Sequence, residues 1–206
     1  MENINATNST ALGPGMLSAI GLASLGSLGS QIIVCTDGAS NLGIGSSRNQ
    51  PDIYSKIGEF AKDKGITCHI VTFKGTSCNI DSISVVSGMT NGEIERVDLG
   101  NLGDNFKDFL SRAVIATKVQ LKVKLHAGLE FRNELLTNLS MNETILMKDF
   151  GNVNEETDLC FEYQMKPLRD LLKLTDIDFS SMTKFPFQAQ IHFTALDGSR
   201  QVRVIT

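Results

Sequence analysis

The length and composition of the chain limit its architecture. Its 206 residues suffice for one large domain or two small ones, and a hydrophobic content of 41% can form a real core. A net charge of −4 with a pI near 5.4 argues against a nucleic-acid partner, and no apolar run reaches the roughly 20 residues of a transmembrane segment. The four cysteines have no CxxC spacing, which argues against a disulfide framework or zinc site and predicts a cytoplasmic protein.

The first half of the chain alternates predicted helices with predicted strands, which is typical of an α/β fold. A loop with Thr10 and a Gly13-Pro14-Gly15 turn precedes a first helix, and Gly65 is the expected stop of the second. A right-handed strand–helix–strand crossover is expected. After the first helix the predicted elements are a strand at 32–35, a helix at 51–64, a strand at 66–73, a helix at 80–86, an edge strand at 88–97 and a helix at 106–113.

From residue 114 onward the hydrophobic period becomes two. Residues 117–126 alternate Val119, Leu121 and Val123 with Lys and Gln, which predicts a half-buried antiparallel strand. Asp197-Gly198 predicts a hairpin, while 168–184 is compatible with either a helix or a loop. We therefore predict a partial α/β domain at 1–113 and an antiparallel β-sandwich at 114–206. The further strands are predicted at 143–147, 158–165, 187–194 and 200–206.

The most informative motif is QIIVCTDGASNLGIGS, residues 31–46. Asp37 follows a β-branched apolar strand and so lies at the carboxyl edge of the predicted parallel sheet, which is where such sheets bind ligands. The motif resembles the Thr-Asp-Gly strand and loop of von Willebrand factor A (vWA) domains, which contribute to a metal-ion-dependent adhesion site. Asp37 could equally cap its own loop through an Asx turn.

The resemblance implies a metal site that is incomplete in this chain. Thr10, before a Leu-Gly-Pro turn, matches the second-loop threonine of the vWA family, although an N-cap of the first helix is an equal alternative. The Asp-x-Ser-x-Ser motif of the family is absent, so Thr10 and Asp37 form a vestigial site that binds Mg²⁺ weakly if at all. No other cofactor is expected. Gly43 and Gly45 are interpreted as loop-shaping residues, with an anion-binding nest as the alternative.

Three stretches in colinear order resemble the trunk and β-sandwich of the two large inner-shell COPII coat subunits. They are IIVCTDGASNLGIGS, the segment from CHIVTF to RVDLG, and the terminal HFTALDGSRQVRVIT. Circularly permuted Ras proteins contain a similar region. The zinc finger, helical and gelsolin-like modules of coat subunits have no counterpart here. The first half of a vWA domain is missing too, so the chain looks like the carboxyl-terminal part of a longer protein or a shortened gene model.

The resemblance implies a non-catalytic scaffold region with a protein partner. One alternative is a COPII-type coat component in vesicle transport from the endoplasmic reticulum to the Golgi, which would associate with the membrane peripherally through its assembly. Another is a carboxyl-terminal fragment of a circularly permuted Ras-type GTP-binding protein. The sequence contains no GxxxxGK[ST], no Asn-Lys-x-Asp and no GxSxG, so we expect no enzyme activity within these residues.

Overall fold

The computed structural model describes residues 9–36, 40–46, 52–74, 80–98, 100, 102–135, 138–139 and 144–206. Its first half contains a three-stranded parallel sheet, which confirms the α/β fold predicted from the sequence. The strands are β1 (Gln31–Thr36), β2 (Thr67–Phe73) and β3 (Ile94–Val97), in the order β1-β2-β3. The helices are α1 (Leu12–Ala23), α2 (Ile53–Asp63), α3 (Ile80–Met89) and α4 (Leu102–Ser111).

Both faces of the parallel sheet are covered by helices. Ile70 of β2 packs in a core with residues of α1, α2 and α3, including the fully buried Ile20 and Ile57. Val71, the next residue, packs on the opposite face against Phe109 of α4. Because successive strand side chains point to opposite faces, one apolar run in β2 serves two cores. The run ITCHIVTF predicted such a doubly buried strand, and this prediction is confirmed.

The second half contains two antiparallel sheets. The larger has the order β6-β4-β8-β9, and the smaller pairs β5 with β7. Leu129 of β5 lies in the same core as Leu121 and Val123 of β4, so the two sheets share a hydrophobic core. Their description as a β-sandwich, and the domain boundary at residue 113, remain predictions. The elements are β4 (Val114–Leu125), β5 (Leu129–Phe131), β6 (Ile145–Asn154), β7 (Tyr163–Met165), α5 (Leu168–Leu171), β8 (Phe187–Ala195) and β9 (Arg200–Ile205).

The inward and outward parity of β4 follows the sequence prediction. Leu121 and Val123 are buried, whereas Lys118 and Lys124 are exposed. The strand departs from regular geometry at Lys118, which has a φ of 53° beside a shift of register against β8. Lys118 forms an ion pair of 3.5 Å with Asp63 at the end of α2. The bulge therefore directs one lysine of the antiparallel sheet toward the α/β half.

Several boundaries and orientations predicted from the sequence were wrong. The strand predicted at 88–97 is only Ile94–Val97, because α3 continues to Met89 and then turns. The helix predicted at 106–113 was expected to place both Phe109 and Leu110 in the core. Only Phe109 of that pair faces the sheet, and Leu110 is 65% exposed. Cys35 was expected to be buried because it lies in an apolar strand run, but it is exposed; within the described residues β1 is an outer strand of the sheet.

Candidate functional site

Thr10 lies at the carboxyl edge of the parallel sheet, two residues before α1. Its backbone N–H donates a hydrogen bond of 2.6 Å to Asn41 Oδ1, and its carbonyl oxygen accepts bonds from the amides of Asn41 and Leu42 at 2.9 and 3.1 Å. These bonds join the Thr10 segment to the loop at 40–46, which follows β1. The N-cap of α1 is Ala11 rather than Thr10, and it makes no side-chain cap bond, so the alternative interpretation of Thr10 as the helix cap was wrong.

The polar side chains described beside Thr10 hold the two loops together. Ser40 Oγ donates to the Thr10 carbonyl oxygen at 3.3 Å and accepts the amide N–H of Leu12 at 3.3 Å. Asn41 Oδ1 is already occupied by the Thr10 amide. A magnesium site needs about six oxygen ligands in octahedral geometry, and the oxygens described here already take part in hydrogen bonds between the loops. Asp37 itself lies outside the described residues, and within those residues no group of three or more His, Cys, Asp or Glu is placed to bind a metal.

Gly43 and Gly45 give the loop at 40–46 its close contacts with the helices. Both have a positive φ, 76° and 82°, which side chains rarely adopt. A Cβ at Gly43 would lie 2.8 Å from Pro14 Cγ, and one at Gly45 would lie 2.8 Å from Tyr54 Oη. Tyr54 in turn donates a hydrogen bond of 3.3 Å to the Gly45 carbonyl oxygen. The loop is therefore packed between α1 and α2.

A second polar cluster, which the sequence analysis did not predict, joins the two halves of the chain. Asn152 of β6 is 3% exposed, and its Nδ2 donates a hydrogen bond of 3.0 Å to Thr67 Oγ1 of β2. Asn91, after α3, donates to the Asn152 carbonyl oxygen at 2.9 Å. We call the cluster of Thr67, His69, Asn91 and Asn152 the polar joint.

His69 is the titratable member of the polar joint. It is 4% exposed, and its Nδ1 accepts the backbone N–H of Glu93 at 3.2 Å, which places the proton of the neutral ring on Nε2. Burial lowers the pKa of His69 below its ordinary value; the carboxylate of Glu93 opposes this change and the guanidinium of Arg112 reinforces it. Arg112 forms ion pairs with Glu93 and Glu156.

The polar joint surrounds a small cavity of about 10 Å³, close to the volume that one water molecule needs. His69 Nε2 and Asn152 Oδ1 line it, and neither atom has a hydrogen-bond partner within the described part of the chain. The first is a donor and the second an acceptor, so the two atoms are chemically complementary. The polar residues Thr67 and His69 at the start of the buried strand β2 were the only signal of this cluster in the sequence.

No protein-family model matches the sequence. The chain is 30% identical over 211 residues to circularly permutated Ras protein 1 of Dictyostelium discoideum. That match covers 100% of the chain but 24% of the relative, so the chain spans about a quarter of that protein's length.

Solved structures of other proteins share the architecture, including a coat protein and a von Willebrand factor type A protein. The human COPII-coat protein Sec24c superposes with a TM-score of 0.64 at 11% identity, over 95% of this chain and 28% of that one. A von Willebrand factor type A protein from Catenulispora acidiphila gives a TM-score of 0.60 at 15% identity, over 98% of this chain and 48% of that one. The chain has the vWA and COPII-coat type of fold. The resemblance stated from the sequence motifs is therefore confirmed at the level of fold.

None of the helices in the described ranges combines the length and the apolar character that crossing a membrane requires.

Proposed function

We propose that this chain is a non-catalytic protein-interaction or scaffold region of the vWA and coat-subunit type. The observation that carries the proposal is the match of the entire chain to a single region of a circularly permutated Ras protein, combined with a fold shared with a COPII-coat protein. Because a fold alone does not determine function, the proposal depends also on the side chains that the chain presents at its sheet edge and on its surface.

The geometry of the sheet edge supports a binding role without catalysis. Ser40 and Asn41 form bonds between loops, and His69 is enclosed in the polar joint, so these groups hold the structure together. Any magnesium binding at Thr10 and Asp37 is proposed to be weak, because Thr10 contributes only a hydroxyl to such a site. We propose that the resulting surface, with its loops joined by hydrogen bonds, binds a protein partner.

Two narrower functions are candidates within this proposal. The Dictyostelium relative is named as a Ras protein, which favours a region of a GTP-binding protein whose nucleotide site lies outside these residues. The likeness to Sec24c favours a coat-type component in vesicle transport from the endoplasmic reticulum to the Golgi. In that second case the protein would be cytoplasmic and would reach the membrane peripherally, through its assembly.

Cross-linking mass spectrometry in cells tests the proposal. With a lysine-reactive reagent, Lys122 and Lys124 should form cross-links to other proteins, since both project from the outer face of the antiparallel sheet. A cross-link between Lys62 and Lys118, which lie near each other at the contact between the halves, is the control for native folding. Cross-links confined to the chain itself would overturn the proposal, and cross-links to a nucleotide-binding part of the same protein would favour the Ras-type candidate.

A further inference from the structure

The last strand of the four-stranded sheet has an open edge. Within the described residues β9 pairs only with β8, and all six of its residues are exposed. Val202, Val204 and Ile205 are 54%, 52% and 44% exposed. An antiparallel ladder leaves the amide and carbonyl of every second residue of an edge strand without a strand partner. At the opposite edge Leu139 forms a β-bridge with Leu146, so that edge is partly covered.

The sheet face beside this edge carries positive charge. The register places Lys122 beside Gln190 and Val204, and Gln120 beside His192 and Val202. Lys124 and Arg200 lie on the same face, and we call this surface the outer sheet face. Lysine and arginine side chains are thus concentrated on this face, although the chain as a whole has a net charge of −4.

Most of this positive charge is not neutralised by the described part of the chain. There, none of Lys122, Lys124 and Arg200 forms an ion pair, whereas Lys118 contacts Asp63 at 3.5 Å. Arg203 pairs in register with Ile191 and so projects toward the other face of the sheet, and it forms no ion pair within the described residues either. Asp149, which faces Gln120 in the register, pairs with Lys62 at 3.0 Å.

A depression of about 370 Å³ opens on the outer sheet face next to β9. Lys118, His192 and Arg200 contribute to its lining, which contains no carboxylate among the described residues. The open edge of β9, the positively charged side chains and the depression are therefore adjacent on the surface.

We propose that β9 and the outer sheet face bind an acidic, extended polypeptide segment, which adds as a fifth antiparallel strand. Main-chain hydrogen bonds to the open edge would supply affinity, and carboxylates facing the arginines would supply specificity. The inference rests on the proposed interaction function and adds the chemistry of the partner.

The register of β9 specifies the sequence pattern of that segment. An antiparallel neighbour passes Ile205 and Val204 first, then Arg203, Val202, Gln201 and Arg200. Apolar residues complement Ile205, Val204 and Val202, and Asp or Glu complements the two arginines. The expected pattern is therefore apolar, apolar, acidic, apolar, any residue, acidic.

A simpler interpretation assigns Arg200 and Arg203 only to the prevention of edge-to-edge aggregation, since charged residues commonly protect edge strands. That interpretation predicts no preference for an acidic strand. The two interpretations are separated by binding of a peptide with the stated pattern.

The test uses the full 206-residue chain and a fluorescein-labelled peptide with the core Ile-Val-Glu-Val-Thr-Glu between Gly-Ser flanks. Fluorescence anisotropy should show saturable binding, at least about tenfold tighter than that of the matching Ile-Val-Lys-Val-Thr-Lys peptide. N-methylation of the amides that face β9 should abolish binding, whereas methylation of the alternate amides should leave it intact. Because this comparison uses the unaltered chain, it is independent of the folding of any variant.

Charge reversal supplies the second arm. Arg200→Glu combined with Arg203→Glu should weaken binding of the acidic peptide by at least about tenfold and strengthen binding of the lysine peptide. The matched control reverses Lys56 in α2 and Lys107 in α4, two exposed lysines of the α/β half, and should bind as the unaltered chain does. Circular dichroism melting checks that both double variants fold.

Three outcomes would overturn the inference: no binding of the acidic peptide, equal binding of both peptides, or binding unaffected by N-methylation. Binding of phosphatidylserine vesicles that is lost with the two arginines, without peptide binding, would replace it with an anionic lipid surface. If the peptide fails while Lys122 and Lys124 still cross-link to other proteins, this inference fails and the proposed function stands.

Discussion

Two buried polar side chains, His69 of the α/β half and Asn152 of the antiparallel half, line one cavity of about 10 Å³. Asn152 binds Thr67 through its amide, and His69 binds the backbone of Glu93 through Nδ1. Buried polar atoms of this kind are costly unless they are paired, so the contacts that they make determine how well the halves fit together.

Substitution of Asn152 by Ala should lower the free energy of unfolding by about 1–3 kcal/mol, because Thr67 Oγ1 loses its buried partner. Urea denaturation followed by circular dichroism measures this change. The control is Gln164→Ala, whose side chain makes an exposed bond to Glu130, and it should change stability by less than about 0.5 kcal/mol. Equal effects of the two substitutions would show that the polar joint contributes nothing.

Stability should fall as the pH falls below about 6.5, because burial lowers the pKa of His69 in the folded chain below that ordinary value. In that window the unfolded chain binds a proton that the folded chain does not, so acid favours unfolding. The slope attributable to one such group is at most about 1.4 kcal/mol per pH unit. His69→Phe should flatten this dependence, while substitution of the exposed His192 by Gln should preserve it; an unchanged slope in the first variant would contradict the assignment.

At the residue scale, the sequence predicted which side chains are buried better than it predicted which residues are in contact. The alternation in β4 was sufficient to separate Leu121 from Lys124, since one period decides every orientation along a strand. The polar joint could not be predicted, because Thr67 and Asn152 are 85 positions apart and meet only in the folded chain. Thr10 and the loop after β1 do meet at the sheet edge, whereas the role of Asp37 as a metal ligand remains a prediction.

At the scale of secondary structure, α2 ends where a left-handed residue is required. Gly65 has a φ of 68°, and a Cβ there would lie 3.3 Å from the side chain of Thr117 in β4. The glycine thus ends the helix and allows β4 to pack closely. Its role as the helix stop was predicted from the sequence, and the close approach of β4 was not.

Gly65→Ala should destabilise the chain by about 1–2 kcal/mol, because a Cβ disfavours the left-handed conformation. Gly88→Ala is the matched control. That glycine lies exposed in α3 with nothing within 4 Å of an added Cβ, so the substitution should stabilise by about 0.5–1 kcal/mol. Thermal melting of both variants measures the difference, and two changes of the same sign would contradict this account of the helix ends.

Element boundaries were predicted less well than element types. The strand predicted at 88–97 begins six residues later, at Ile94, because α3 continues through Gly88. Residues 158–165 contain only the short strand Tyr163–Met165. Helix interiors tolerate an exposed glycine at a modest cost, so glycine in a sequence is an uncertain boundary signal.

At the scale of the whole molecule, an α/β half and an antiparallel half are joined by the polar joint and by ion pairs. The ion pairs are Lys62 with Asp149 at 3.0 Å and Lys118 with Asp63 at 3.5 Å. The order of the halves was predicted from motifs, and the fold is shared with Sec24c and a vWA protein. What this fold binds depends on its surface, which motif order does not describe.

Magnesium should have no measurable effect on the melting temperature. At about 1 mM free Mg²⁺, a site with a dissociation constant near 100 µM would add about 1.4 kcal/mol of stability, which differential scanning fluorimetry would detect. The oxygens described beside Thr10 already form hydrogen bonds between loops, so we expect a smaller increase in stability than this. A rise in melting temperature that Asp37→Ala abolishes and Asp176→Ala preserves would establish a working metal site.

We propose that this chain binds a partner and does not act on a nucleotide. The most direct measurement is titration of the 206-residue chain with a fluorescent GTP analogue and Mg²⁺, together with an assay of GTP hydrolysis on the same sample. We predict no saturable binding up to roughly 100 µM and no hydrolysis above that of buffer. Saturable binding with a dissociation constant below about 10 µM, accompanied by turnover, would contradict the claim and place the Ras-type activity within these residues.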